Sequence, residues 1–208
     1  MKVGIFGGTF NPIHNGHLRV ANDVMFYMKL DEVWFMCASQ PPHKKDVISD
    51  YHRFNMLKIA LKNFPNFFPC DIEIKNKFHY TIETLTYLNK TYGGKYNFYF
   101  LLGFDAFLEI NTWKNWKKLF SLANFVIFNR YGVQDKTRII LKDYLSLDVK
   151  EKPNGVYLYK DKEIKNITVK SLNISGSEIR DLIRRGLNIT SCVGGEVASY
   201  IESNNLYK

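Results

Sequence analysis

Little in this chain speaks for a covalent staple, a membrane span or a disordered tail. The 208 residues include three cysteines, Cys37, Cys70 and Cys192, widely spaced and with no C-x-x-C pair. That excludes a disulfide framework or a cysteine metal site and points to a reducing compartment, read here as the cytoplasm. No apolar run approaches the roughly 20 residues needed to span a bilayer, so no membrane partner is expected. The first apolar strand opens almost at Met1, so no leader segment is expected. No period repeats, and no stretch is low in complexity. Apolar residues make up 46% and aromatic residues 15%, which excludes wholesale disorder and allows a sizeable core in one domain spanning 1–208.

Charge is plentiful but diffuse. The formal net charge is +9, yet the densest lysine runs, 114–118 and 160–170, are short and interrupted. A solvated basic surface that also attracts anionic nucleotides accounts for this better than a nucleic-acid interface, and no nucleic-acid partner is expected.

The chain is organised around Gly4-Ile5-Phe6-Gly7-Gly8-Thr9-Phe10-Asn11-Pro12-Ile13-His14-Asn15-Gly16-His17. Residues 1–6 read as a buried strand. Leu18 to Tyr27 reads as a helix, with apolar residues at Leu18, Ala21 and Met25. A strand that feeds a helix through a glycine turn suits an anion. Gly7 and Gly8 let a phosphate approach the backbone, and the helix aims its free N–H groups at the same space. His14 and His17 share a face if the helix has begun by then. The pattern is neither a Walker A loop nor G-x-G-x-x-G.

Further on, residues 31–38 read as a second buried strand, making a βαβ unit and predicting a parallel sheet. Pro41 and Pro42 stiffen the loop behind it, which would present His43 and Lys44 at the ligand edge. Residues 50–63 read as an amphipathic helix, with Phe54, Leu57, Ala60 and Leu61 inward and Arg53 elsewhere. Phe67 to Ile74 reads as a strand, and Thr81 as the N-cap of the next helix. Tyr96 to Leu102 is the most strand-like run and ends at Gly103-Phe104-Asp105. Asp105 can accept from a ribose hydroxyl, and Trp113 offers a flat face to a ring, with Trp116 taken as core. Residues 125–128 form another buried strand. Ser175 and Glu178 have capping-box spacing before the apolar stripe Ile179, Leu182, Ile183. Gly186 is expected to end that helix, and a last helix to follow from Gly195 to Glu202. Residues 133–170, polar and weakly patterned, are expected to be an insertion whose role is left open, and 171–208 a small C-terminal helical part that completes the nucleotide site.

Gly-Gly-Thr-Phe-Asn-Pro-Ile-His-Asn-Gly-His resembles the signature of the nucleotidyltransferase superfamily. The matches Pro-Pro-His-Lys at 41–44, Tyr-Thr-Ile-Glu-Thr-Leu at 80–85, Gly-x-Asp seven residues before Trp-x-x-Trp, and Ile174 to Arg180 are similar to the bacterial nicotinate mononucleotide adenylyltransferases. The resemblance covers 1 to about 130 and 172–208. It implies a Rossmann-like, doubly wound parallel sheet with helices on both faces. It implies transfer of AMP from ATP to nicotinate mononucleotide, giving deamido-NAD and pyrophosphate in NAD biosynthesis. His14, His17 and Lys44 would be catalytic. Gly7, Gly8, Thr9, Phe10, Gly103, Asp105, Arg130, Ile174, Ser175, Ser177 and Arg180 would hold ATP, with Asn11, His43, Lys44, Thr81 and Trp113 on the mononucleotide. No protein metal site is expected, and Mg²⁺ would ride on the ATP phosphates. Nicotinamide mononucleotide or phosphopantetheine as acceptor, a cytidylyltransferase, and a non-catalytic nucleic-acid-binding module are the alternatives, and oligomeric state is left open. Asn11, Tyr131 and Gly176 depart from the family's usual Asp, Pro and Ser.

Overall fold

The structure, a computed structural model, describes residues 1–39, 47–130, 134–170 and 174–208. Expectations for Pro41, Pro42, His43, Lys44 and Tyr131 lie outside the described residues.

The strand–helix alternation of the sequence folds as read. The chain runs β1 (Lys2–Gly8), α1 (Asn15–Met28), β2 (Glu32–Cys37), α2 (Asp50–Leu61), β3 (Phe67–Cys70), α3 (Ile72–Asn76), α4 (Thr81–Tyr92) and β4 (Asn97–Gly103). It continues through α5 (Phe104–Leu108), a 3₁₀ turn (Ile110–Thr112), α6 (Trp116–Leu119), β5 (Asn124–Arg130) and α7 (Thr137–Ile139), which passes into a π-helical turn (Ile140–Tyr144). Last come β6 (Lys150–Lys152), a second 3₁₀ turn (Pro153–Gly155), β7 (Val156–Tyr159), β8 (Lys162–Val169), α8 (Gly176–Arg184), α9 (Thr190–Val193) and α10 (Gly195–Ser203).

The eight strands form one sheet in the order β3-β2-β1-β4-β5-β8-β7-β6. The first six pair in parallel, and β7 and β6 add an antiparallel edge. Parallel strands covered on both faces must be apolar throughout, and Phe98 to Leu102 and Phe125 to Ile127 are buried without alternation. Two apolar clusters result. One joins α1, α2 and the C-terminal helices to the sheet, and the other joins α4, α5 and α6 to its opposite face. The doubly wound α/β arrangement therefore holds. Strand order reverses between β1 and β4, the point where such sheets place ligands beyond the carboxyl ends of their strands.

Three readings of local structure change. The strand expected over 67–74 stops at Cys70, because Ile72 to Asn76 coil into α3. Tyr80 rather than Thr81 occupies the N-cap of α4, and Glu83 Oε2 accepts from the backbone N–H of both His79 and Tyr80 (3.0 and 3.1 Å). Inside the stretch set aside as an insertion, β8 lies in parallel against β5 and buries Ile164, Ile167 and Val169.

Candidate active site

β1 ends at Gly7-Gly8, and α1 begins at Asn15 with His14 as its N-cap residue, three residues earlier than its apolar periodicity indicates. His17 therefore stands in the first turn, directly above His14. The two rings stack with centroids 3.6 Å apart and planes 26° apart. The backbone N–H of His14 donates to His17 Nδ1 at 3.3 Å. That bond makes Nδ1 the acceptor of the ring, so His17 carries its proton on Nε2. Burial pushes the His14 imidazole down to about 4, against a smaller opposing pull from Glu178. Burial, then the neighbouring His14, holds His17 well below the usual histidine range. Both rings are neutral at pH 7, where a neutral imidazole offers one N–H donor.

The glycines around the rings differ in purpose. A Cβ on Gly8 would meet the Phe10 ring at 2.8 Å, and one on Gly16 would meet His14 Nδ1 at 2.9 Å. These two make room for the protein itself. A Cβ on Gly7 would touch nothing nearer than the Phe100 ring at 3.8 Å. Gly7 faces a cavity instead.

His14 and His17 form the wall between two cavities. The first, of about 400 Å³, is mostly apolar: Phe6, Val20, Phe104, Phe128 and Ile174 line it with Gly7, Gly103, Asp105 and Ser175. It suits a flat base with a ribose at its polar side. The second, of about 480 Å³, is polar and runs past Thr9, Phe10, Asn11, Ser177 and Arg180. Phe10, expected at the nucleotide, is 2% exposed and belongs mainly to the core. Arg130 ends β5; its side chain lies outside the description.

At the start of α8 the capping box of the sequence is complete. Ser175 Oγ accepts from the Glu178 N–H (3.2 Å), and Glu178 Oε2 accepts from the Ser175 N–H (2.9 Å). Arg180 Nη1 donates to the Asn11 carbonyl at 2.7 Å. Gly176 lies at this crossing, since a Cβ there would stand 3.1 Å from that same carbonyl oxygen. The serine usual in relatives would crowd it.

Thr81 and Trp113 line neither cavity. They gather at a second locus on the other flank of β4. Lys114 lies 4.2 Å over the Tyr80 ring and 3.6 Å from Glu83 Oε1, tying the Trp113 turn to the start of α4. The Trp113 indole is half-buried and meets Phe100 edge-on at 6.3 Å, and Phe100 in turn faces Gly7. Trp116, taken as core, is likewise only half-buried, edge-on to Phe120. Beneath this locus, Thr84 Oγ1 donates to Glu73 at 2.6 Å, and burial pushes the Glu73 carboxyl up to about 7.

The comparisons with known proteins agree on the family of the chain. A family model described as cytidylyltransferase-like matches residues 5–182. A probable nicotinate-nucleotide adenylyltransferase of Shewanella frigidimarina is 33% identical over 215 residues, covering all of both chains. One from Clostridium perfringens is 37% identical over 210 residues, covering all of this chain and 98% of the relative. The chain belongs to the nicotinate-nucleotide adenylyltransferases. The relatives match it from end to end, so the resemblance is wider than 1–130 and 172–208 and takes in 133–170. A solved Plasmodium falciparum nicotinic acid mononucleotide adenylyltransferase, complexed with NaAD, superposes with a TM-score of 0.77 over 99% of this chain and 97% of that one, at 24% identity. That likeness establishes the fold.

Two residues of this adenylyltransferase escape a reading of its sequence. Arg53, expected away from the apolar side of α2, is completely buried, with Nη1 donating to the Thr9 carbonyl at 2.8 Å. Its register could have revealed it, because it stands three and four residues before the buried Met56 and Leu57. Tyr207 donates to Asn11 Oδ1 at 2.9 Å from 196 residues away. No local pattern announces that contact.

Proposed function

We propose that the enzyme transfers AMP from ATP to the 5′-phosphate of nicotinate mononucleotide, and that the stacked, neutral His14–His17 pair between the two cavities carries this reading. The acceptor phosphate oxygen attacks the α-phosphorus in line, the bond from that phosphorus to the α,β-bridging oxygen breaks, and pyrophosphate leaves. Such chemistry asks a protein to position its reactants and to neutralise charge. The Nε2–H of His17 donates to a phosphate oxygen as charge grows on it, with His14 beside it. A neutral donor suits this task because it needs no protonation at physiological pH. By analogy with oxyanion contacts, each such donor is worth about 10²- to 10³-fold in rate.

The apolar cavity receives the adenosine, with Asp105 toward the ribose. The polar one receives phosphates against Thr9, Ser177 and Arg180, with Asn11 at its wall. Trp113 and Thr81 hold the pyridine ring of the acceptor, His43 stands with the mononucleotide, and Lys44, Arg130 and Arg180 add positive charge. Among the described residues no three His, Cys, Asp or Glu side chains converge as a metal site, so a divalent ion would enter on the triphosphate oxygens. When bound, it neutralises charge on the leaving pyrophosphate. Among the described residues no helix is long and apolar enough to cross a membrane, and we assign the enzyme to the cytoplasm.

Pyrophosphate release measured with ATP and each acceptor in turn tests this. Nicotinate mononucleotide should be the fastest. A preference for nicotinamide mononucleotide or phosphopantetheine would change the acceptor, and no release with any would remove the reaction.

A further inference from the structure

Arg53 is the largest fully buried side chain of the molecule among the described residues, and it is a cation. Nε donates to the Ile48 carbonyl at 3.1 Å, and Nη1 donates to the Thr9 carbonyl at 2.8 Å and to Cys37 Sγ at 3.4 Å. All three acceptors are neutral. The Cys37 thiol cannot serve as a counter-ion, because burial pushes it up to about 12. Nη2 is buried without a hydrogen-bond partner among the described residues. A buried guanidinium whose bonds reach no carboxylate among the described residues is costly to keep in a folded chain, so its retention calls for an anion that arrives later.

Its position indicates which anion. Thr9 lines the polar cavity, and so does Val47, the neighbour of Ile48. Arg53 thus fastens together two chain segments that approach the cavity from β1 and from the start of α2. Its charge also bears on the Tyr207 phenol, whose O–H holds Asn11 at the same wall. Field lines from a buried charge are poorly screened, so it acts on whatever fills that cavity.

We propose that Arg53 is a positioning residue for adenylyl transfer: from behind the cavity wall it fixes Thr9 and Ile48 and presents a charge that the phosphates of the bound nucleotide balance. The inference rests on the adenylyl-transfer reading above. It differs from a purely structural brace in one respect, which is that removal of the charge should relieve the free protein while weakening the complex.

The test uses Arg53→Met and Arg53→Lys in the full chain, with thermal unfolding measured alone and with saturating pyrophosphate and Mg²⁺, and with steady-state kinetics. Arg53→Met should unfold no earlier than wild type when free, lose most of the pyrophosphate-induced rise in Tm, and raise KM for ATP at least ten-fold with kcat affected less. Arg53→Lys, which keeps charge but not the fork, should retain more than half of the rise. A wild-type rise in Arg53→Met would overturn the proposal, as would equal loss in both variants, which marks a brace alone. If Arg53→Met does not fold, Arg53→Lys decides: a retained rise supports the charge, a lost one removes it. Should wild type itself gain nothing from pyrophosphate, the adenylyl-transfer reading fails, and not this inference alone.

Discussion

Two helices begin at the rim of the cavities, and they satisfy their first turns with different chemistry. α8 opens with Ser175 and Glu178 bonded reciprocally and an acidic residue in its first turn. α1 opens on His14, whose own side chain makes no cap bond; His17 Nδ1 accepts from the His14 N–H (3.3 Å), and no acidic residue stands in the first turn. A first turn leaves four amide groups without intrahelical partners, and an anion or a cap can satisfy them. α8 caps itself with a hydroxyl and a carboxylate, whereas α1 uses a neutral imidazole and brings no negative charge to its first turn. The difference teaches that helix starts of similar position need not be equal phosphate sites. On the proposed reaction the α1 turn would carry the chemistry, and α8 would contribute through Ser177 and the Arg180 brace on Asn11.

The largest expected effect breaks or secures that ranking. In His17→Ala the Nε2 donor is gone, and turnover should fall at least about 100-fold while KM for ATP rises only modestly. Steady-state pyrophosphate release measures it. Unchanged turnover would move the chemistry away from α1.

The second expected effect concerns acid. Burial pushes the folded His14 imidazole down to about 4, from the ordinary histidine value of 6.5. Between those values the unfolded chain binds more protons than the folded one, so stability falls as pH drops from 6.5 toward 4. The full loss from this group is about 3 kcal/mol. Urea unfolding at several pH values measures the slope, and His14→Gln should flatten it relative to wild type. An equal slope in both proteins would show that other groups carry the acid sensitivity.

Trp113→Ala probes the second locus, away from both helix starts. Loss of a flat aromatic contact should raise KM for the mononucleotide about ten-fold, with KM for ATP nearly constant. An equal rise in both constants would mean that the indole supports the whole site and not one ring.

How far the sequence foretold this depends on the range of each interaction. The β1–α1 turn was legible because its glycines, histidines and flanking strand lie within 17 residues, and capping at Ser175 was legible for the same reason. The parallel core strands were legible as apolar runs. Arg53 was misread because a charged residue is ordinarily put outside, although its register pointed inward. β8 was missed because its alternation of Ile164 and Ile167 with lysine and asparagine is weak, and only pairing with β5 gives it a face to bury. Tyr207 on Asn11 could not be read at all, since chain ends meet through the fold and not through any spacing.

The smallest effect separates the glycines of the two turns. Gly176→Ser restores the residue usual in the family, but its Cβ would stand 3.1 Å from the Asn11 carbonyl and 3.4 Å from Arg180 Nη1. Either the carbonyl shifts or the Arg180 bond lengthens, and crowding of this kind costs about 1 kcal/mol. Gly7→Ala at the other turn meets only an ordinary contact with Phe100 at 3.8 Å. Its stability should stay within about 0.5 kcal/mol of wild type, while activity falls because the added methyl occupies the approach to the backbone. Thermal unfolding and turnover of the two variants should therefore run in opposite order. If Gly7→Ala is the less stable and Gly176→Ser the less active, α8 and not α1 is the turn shaped around the phosphates.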